Sequence, residues 1–176
     1  MNKEFDIVVH GATGFTGRLV IEYLMARYPL GADTKLRWAM GGRSAEKLAA
    51  VRDEIGAPKD TPLVVADGSN AASLKALTER TRLVLTTVGP YQLYGNELVA
   101  ACAGSGTDYV DLCGEPVWMR DMIDAHEAQA KASGARIVFS CGFDSIPFDL
   151  GVFMLQDEMQ RKFGQPANRV RGRVRK

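Results

Sequence analysis

The chain has 176 residues, 46% of them hydrophobic and 24% charged, with a formal net charge of +1. That is room for one domain with a full core, in the composition of an ordinary soluble globular protein. It excludes a disordered or fibrous chain and, with no apolar run of about 18 residues, a membrane-spanning helix.

Phe5 to Gly17 reads FDIVVHGATGFTG. Ile7, Val8 and Val9 form a buried parallel strand, three glycines follow, and Leu19, Val20, Tyr23 and Leu24 then recur at helical spacing. A strand, a tight turn and a helix start in that order build a pyrophosphate cradle from Gly11, Ala12, Thr13, Gly14, Phe15, Thr16 and Gly17. Gly11 takes the unusual φ of the turn, Gly14 lets the backbone approach a ligand, and Gly17 lets helix and strand pack closely. Free N–H groups and the positive end of the helix dipole complete the anion site. The G-x-x-G-x-x-G spacing departs by one residue from G-x-G-x-x-G and is similar to the variant of short-chain and related NADP-dependent enzymes. His10, at the strand tip without an orienting carboxylate, reads as structural.

Lys35 to Met40 forms the second strand, and Ser44 caps a helix to Ile55 that Gly56 and Pro58 stop. An NAD site places an acidic residue after this strand. Here Gly41-Gly42-Arg43-Ser44 stands instead, and Arg43 beside a helix start suits a 2′-phosphate. NADP(H) is therefore preferred, NAD(H) is the alternative, and a merely solvated Arg43 is the bland reading. Pro62 to Ala66 forms the third strand; Asp67 at its end either accepts from the adenine amino group or caps a helix. Ser69 or Ser73 caps the third helix, which runs through Glu79.

Arg82 to Val88 forms the fourth strand, which brings Thr86, Thr87, Val88 and Gly89 beside the nicotinamide-side ribose. Gly89 permits close backbone approach, and Pro90 fixes a turn that aims Tyr91 into the crevice, where it can stack, donate a proton or simply pack. Asn96 to Ala103 forms a helix, Asp108 to Leu112 a strand, Pro116 to Ser133 a long helix, Arg136 to Ser140 the sixth strand, and Phe148 to Lys162 the last helix. Strict alternation predicts an α/β fold: a doubly wound, mainly parallel six-stranded Rossmann sheet of order 3-2-1-4-5-6 with helices on both faces. Its ligand lies at the carboxyl ends of strands one and four.

Five of the 22 basic residues fall in the last eight positions. Val170 to Val174 alternates apolar or small residues with arginine at period 2, which reads as a half-buried strand rather than a nucleic-acid-binding tail. Gly164-Gln-Pro-Ala-Asn168 is the one credible boundary, so residues 1–163 form the nucleotide domain and 164–176 begin a second unit that looks cut short. Cys102, Cys113 and Cys141 lack C-x-x-C spacing, so neither a disulfide framework nor a metal is expected, and the compartment reads as a reducing cytoplasm. MNKEFD leads straight into the first strand, so no signal peptide is expected.

Five segments, VVHGATGFTG, GGRS, TTVGPYQLYG, GTDYVDLCGEPVW and CGFDSIPFDLG, together resemble the saccharopine dehydrogenase-like oxidoreductase family, closest to its branch of trans-acting enoyl reductases. The likeness covers nearly all of residues 5–155. It implies an NAD(P)-binding Rossmann domain followed in full-length members by a substrate and dimerisation domain. It carries Gly11, Gly14 and Gly17 to the pyrophosphate, Arg43 to the ribose phosphate, and Gly89, Pro90 and Tyr91 to the nicotinamide; Ser44 and Val88 beside them come from the residues alone. Glu115, Asp144 and Ser145 follow strands five and six and face the same crevice; with Tyr91 they are the catalytic candidates. They can orient a substrate or relay a proton, or Glu115 and Asp144 can cap the next helices.

His10 stands where many members carry Tyr, and Phe148 where they often carry Ser. No Tyr-x-x-x-Lys pair occurs, and Cys141 has no partner base. The resemblance implies an NADP(H)-dependent oxidoreductase moving hydride to or from a C=C or C=N bond, on an enoyl or lipid- or polyketide-like small molecule. It further implies a homodimer of the full-length protein, with no nucleic-acid partner. This segment alone should bind cofactor and turn over little. The alternative is an NADP(H)-binding regulatory module without turnover.

Overall fold

Parallel strands can be joined only by crossovers, and the alternation of short apolar runs with amphipathic ones supplies them. A computed structural model describes residues 3–31 and 35–174. In chain order the elements are β1 (Phe5–His10), α1 (Phe15–Arg27), β2 (Trp38–Gly42), α2 (Ala45–Glu54), β3 (Leu63–Val65), α3 (Ala71–Arg80), β4 (Thr81–Thr86), a single turn α4 (Tyr91–Tyr94), α5 (Asn96–Ser105), β5 (Asp108–Val110), α6 (Pro116–Ser133), β6 (Ile137–Val138) and α7 (Ile146–Phe163). The six strands form one all-parallel sheet in the order β3-β2-β1-β4-β5-β6, the order expected from the sequence.

Adjacent strand residues point to opposite faces, so Val8 and Val9 enter different cores. Val8, Val84 and Tyr109 pack with Leu74 and Leu77 of α3, Leu98 and Cys102 of α5, and Trp118 of α6. Val9, Trp38 and Met40 pack with Ile21 and Leu24 of α1 and Leu48 and Val51 of α2. Each fully buried aliphatic side chain contributes about 1.5–3 kcal/mol, so both layers carry the fold. The six parallel strands end at one carboxyl edge, at His10, Gly42, Val65, Thr86, Val110 and Val138.

Several local expectations change. The inner face of α1 is Gly17, Ile21 and Leu24, while Leu19 and Tyr23 are 49% and 58% exposed. Gly17 must face the strand, and that rotates the helix away from the apolar phase read from Leu19. The α3 cap is Asn70, whose side chain accepts from the Ser73 N–H at 3.0 Å; the Ser73 hydroxyl instead accepts from the Asp67 N–H. β2 starts at Trp38 and runs into Gly42, later than expected, because Met40, Gly41 and Gly42 pair with Leu63, Val64 and Val65. α7 starts at Ile146 and ends at Phe163, with Gly164 in the left-handed region at φ 71°.

Val170 to Val174 is exposed or half-buried coil, not a strand. Among the described residues this segment pairs with no strand, and an unpaired strand has no ladder to hold it. Gln156 of α7 instead grips both backbone groups of Ala167, and Gly172 lies against the Phe148 ring. Arg175 and Lys176, the end of the basic run, lie outside the described residues. α7 itself buries no residue: Phe153 is 70% and Met154 65% exposed.

Candidate cofactor site

The three cradle glycines have three different reasons to be glycine. Gly11 has φ +92°, and a Cβ there would meet Thr87 Oγ1 and Val88 Cγ2, each at 2.8 Å. At Gly17 a Cβ would lie 2.1 Å from the Gly11 carbonyl oxygen, so only glycine lets α1 sit this close to the turn. Gly14 has ordinary extended dihedrals, and a Cβ would meet only the Gly11 carbonyl at 3.4 Å. Nothing inside the protein excludes a side chain at Gly14, which leaves space for a ligand as its reason.

Hydrogen bonding separates the turn in the same way. The N–H groups of Gly11 and Ala12 both donate to the Gly41 carbonyl at 3.0 Å, tying the turn to β2, and Gly14 N–H closes on the Gly11 carbonyl at 2.9 Å. Among the described residues, the N–H groups of Thr13, Phe15, Thr16 and Gly17 find no backbone acceptor. Gly14 is the N-cap and offers no side chain to satisfy them. These free donors at the positive end of a 13-residue helix are what a pyrophosphate needs. Phe15 is 81% exposed at the mouth of the cradle.

On the adenosine side, Arg43 is exposed just after β2 and makes no hydrogen bond or ion pair among the described residues. Most other arginines of the domain are paired, as Arg37 and Arg82 are with Asp6. Ser44 caps α2, its oxygen accepting from the Lys47 N–H at 3.2 Å, which leaves its O–H free to donate. Asp67 does not cap α3; its Oδ1 accepts from the N–H and the hydroxyl of Ser69, and these bonds hold its carboxyl below the usual carboxylate range. His10 is 4% exposed and its Nδ1 has no partner. Burial first, and then the nearby Arg43 charge, push its pKa down to about 4 against the opposing pull of Asp67. The imidazole is therefore neutral near pH 7 and adds no charge beside Arg43, near which the Asp67 carboxylate supplies an opposing charge.

The other half of the edge is built differently. Tyr91 does not point into the crevice. Its ring is buried, 5.6 Å from that of Trp118, and its hydroxyl donates to the Thr86 carbonyl at 3.3 Å and accepts from the Leu112 N–H at 3.4 Å. Burial pushes the phenol up to about 12. Glu115 occupies the N-cap position of α6 but does not cap that helix. Its two oxygens accept from the N–H groups of Tyr91 at 2.7 Å and Gln92 at 2.9 Å, across the gap between loops. Asp144 is exposed and caps nothing, and Ser145, at the N-cap of α7, makes no capping bond. Burial raises the Cys141 thiol, which disfavours a thiolate there.

Sequence reasoning missed Asp111. It is 3% exposed; Oδ1 accepts from the Cys113 and Ser140 N–H groups at 3.0 and 2.8 Å, and Oδ2 from the Tyr109 hydroxyl at 2.8 Å. Burial raises its pKa against these bonds. The available signal was a carboxylate closing an apolar strand, in Tyr109-Val110-Asp111. Ser140, at φ 59°, also donates its hydroxyl to the Cys113 carbonyl at 2.7 Å.

A doubly wound parallel sheet with a glycine cradle after its first strand and a free arginine after its second defines a dinucleotide-binding Rossmann domain. The family model described as saccharopine dehydrogenase NADP binding domain matches residues 7–138, and the chain belongs to that family. Its domain is thus an NADP-binding one. The chain is 51% identical over 154 residues to a trans-acting enoyl reductase of Mycobacterium leprae and 53% identical to one of Mycobacterium ulcerans; each match covers 87% of this chain and 36% of the relative. The chain thus spans about a third of the length of these curated relatives. Among solved structures, apo saccharopine dehydrogenase (L-Glu forming) from Saccharomyces cerevisiae aligns with a TM-score of 0.67 at 17% identity, over 89% of this chain and 32% of that one. Triphenylmethane reductase from Citrobacter sp., complexed with NADP(H), aligns at 0.54 and 22% identity over 77% and 48%. At these identities the two structures speak to the fold alone. Among the described residues no helix is long and apolar enough to cross a membrane.

Proposed function

We propose that this chain is the cofactor-binding part of an NADP(H)-dependent oxidoreductase that reduces a C=C bond of an enoyl substrate. The observation that carries the reading is the pairing of a cradle with unsatisfied N–H donors and an arginine that makes no hydrogen bond or ion pair among the described residues, with the Asp67 charge near it. The residues fit the dinucleotide: Thr13 to Gly17 would hold the pyrophosphate, Arg43 and Ser44 the 2′-phosphate, Asp67 the adenine, and Val88, Gly89 and Pro90 would border the nicotinamide. When bound, the reduced cofactor supplies hydride from nicotinamide C4. The chain's own residues bind and orient it and exclude water from one side. The names of the relatives, enoyl reductases, favour a C=C bond over C=N; a lipid- or polyketide-like acyl chain as its carrier is part of the proposal.

Residues 1–163 are the nucleotide domain in this proposal. The unburied apolar face of α7 is the surface against which the further chain present in the longer relatives packs as a substrate and dimerisation domain. The unpaired thiols fit a cytoplasmic setting.

A second reading, an NADP(H)-binding module without turnover, draws on the state of the acid-base candidates: Tyr91 and Glu115 are spent in internal hydrogen bonds and Asp144 stands exposed without an orienting partner. Titration with NADPH and NADH, followed by nicotinamide fluorescence, tests what the two readings share. NADPH binding tighter than NADH binding is expected, and no binding of either would refute both. Stereospecific hydride transfer by a longer protein carrying this domain would exclude the module without turnover.

A further inference from the structure

We infer that Glu115 is a positioning residue for the nicotinamide end of the cofactor and not the acid or base of the reaction. The inference rests on the proposal that the nicotinamide lies beside Gly89.

The turn at issue is Gly89 to Gln92. Gly89 and Pro90 are exposed at the carboxyl edge, and a Cβ built on Gly89 meets nothing closer than the Tyr91 ring at 3.6 Å. The protein interior makes no demand for glycine at 89, just as at Gly14. A turn with open backbone toward the crevice must be held from behind, and Glu115 does so. One oxygen accepts from the Tyr91 N–H and the other from the Gln92 N–H, the first two donors of the α4 turn, which no carbonyl satisfies. The Tyr91 hydroxyl adds a second tie to Leu112 N–H and a third to the Thr86 carbonyl.

The loop that carries Glu115 is itself fixed. Asp111 binds the N–H groups of Cys113 and Ser140, and Cys113 Sγ accepts from the Glu115 N–H at 3.2 Å. The turns after β4, β5 and β6 are thus linked in series, from Ser140 through Asp111 and Glu115 to Tyr91 and Gln92. Each oxygen of Glu115 accepts one of these N–H groups. Protonation would remove the negative charge that strengthens both bonds and make one oxygen a poorer acceptor, so a carboxyl that had to gain and lose a proton in each turnover would loosen the wall it supports.

The test is the isosteric Glu115→Gln, which keeps one acceptor and turns an NH2 group toward the other N–H. Two ligands are titrated by calorimetry: NADPH, and adenosine 2′,5′-bisphosphate, which carries the 2′-phosphate but no nicotinamide. The expected result is a roughly tenfold loss of NADPH affinity, the scale of one charge-assisted hydrogen bond, with the bisphosphate bound as tightly as by the wild type. Retained bisphosphate binding also reports that the variant is folded. Tyr91→Phe, which removes the hydroxyl ties and leaves the Glu115 grip, should shift NADPH alone in the same direction by a smaller factor. Equal loss for both ligands, or unchanged NADPH affinity, would overturn the inference. If the wild-type chain binds the bisphosphate but gains nothing from the nicotinamide half, the inference fails while the adenosine-side reading stands; if it binds neither ligand, the cofactor proposal fails and takes the inference with it.

Discussion

The two halves of the carboxyl edge are made on opposite principles. Around β1 and β2 the polar groups are left open among the described residues: the N–H groups at the start of α1 lack backbone acceptors, Arg43 makes no hydrogen bond or ion pair although the Asp67 charge is near it, and His10 Nδ1 lacks a partner. Around β4, β5 and β6 they are consumed, Asp111, Glu115, Tyr91 and Ser140 satisfying one another's loops. A buried polar group without a partner costs free energy, as at His10 Nδ1, and a bound anion would offset that cost at the free N–H groups of the cradle. The closed half gives rigidity without needing a ligand. One half therefore encodes affinity and the other shape.

Substitutions can break this comparison. The largest effect is expected from Asp111→Ala, which strands two N–H groups and the Tyr109 hydroxyl in the interior; a loss of about 3 kcal/mol or more is expected in urea unfolding, with no bias between NADPH and NADH in whatever folded protein remains. Gly17→Ala should cost about 3 kcal/mol, because the new methyl collides with backbone that cannot yield without lifting α1. A fully stable Gly17→Ala protein would mean that the close approach at the Gly11 carbonyl is not obligatory.

His10 gives a pH test. Its folded pKa, about 4, lies below the ordinary value of 6.5, so between these values the unfolded chain takes up a proton that the folded chain refuses. Stability then falls as pH drops through that window, by about 3 kcal/mol. His10→Phe should flatten the dependence, and an unchanged slope would place its origin in other groups. The smallest change in stability belongs to Gly14→Ala, within about 0.5 kcal/mol in the absence of ligand, since the methyl meets only one atom at van der Waals range. The same variant should bind NADPH weakly, and normal binding would show that the ligand does not approach at Gly14.

What could be read in the sequence follows the same division. The cradle was legible because its glycines are consecutive in the chain and sit between two periodic segments, and Arg43 because it replaces an acidic residue at a fixed place after the second strand. The strand order followed from alternation alone. The closed half was not legible, because the bonds that link its loops join residues 20 or more positions apart: Glu115 with Tyr91 and Ser140 with Asp111 meet only once β4, β5 and β6 are in register. Tyr91 was misdirected for this reason. A turn after glycine and proline suggests an outward side chain, but the apolar slot beside Trp118 and the free Leu112 N–H draw the ring inward. The segment from Val170 shows the converse error, a good local period that pairs with no strand among the described residues.

The most direct measurement is the ratio of NADPH to NADH affinity in the wild type and in Arg43→Ala. Arg43 is expected to contribute about 1.5–3 kcal/mol to NADPH binding through charge-assisted bonds to the 2′-phosphate, and nothing to NADH, which has none. The ratio should therefore collapse toward one while NADH affinity stays constant. A ratio that survives the substitution would contradict the assignment of Arg43 and, with it, the account of how this edge selects its cofactor.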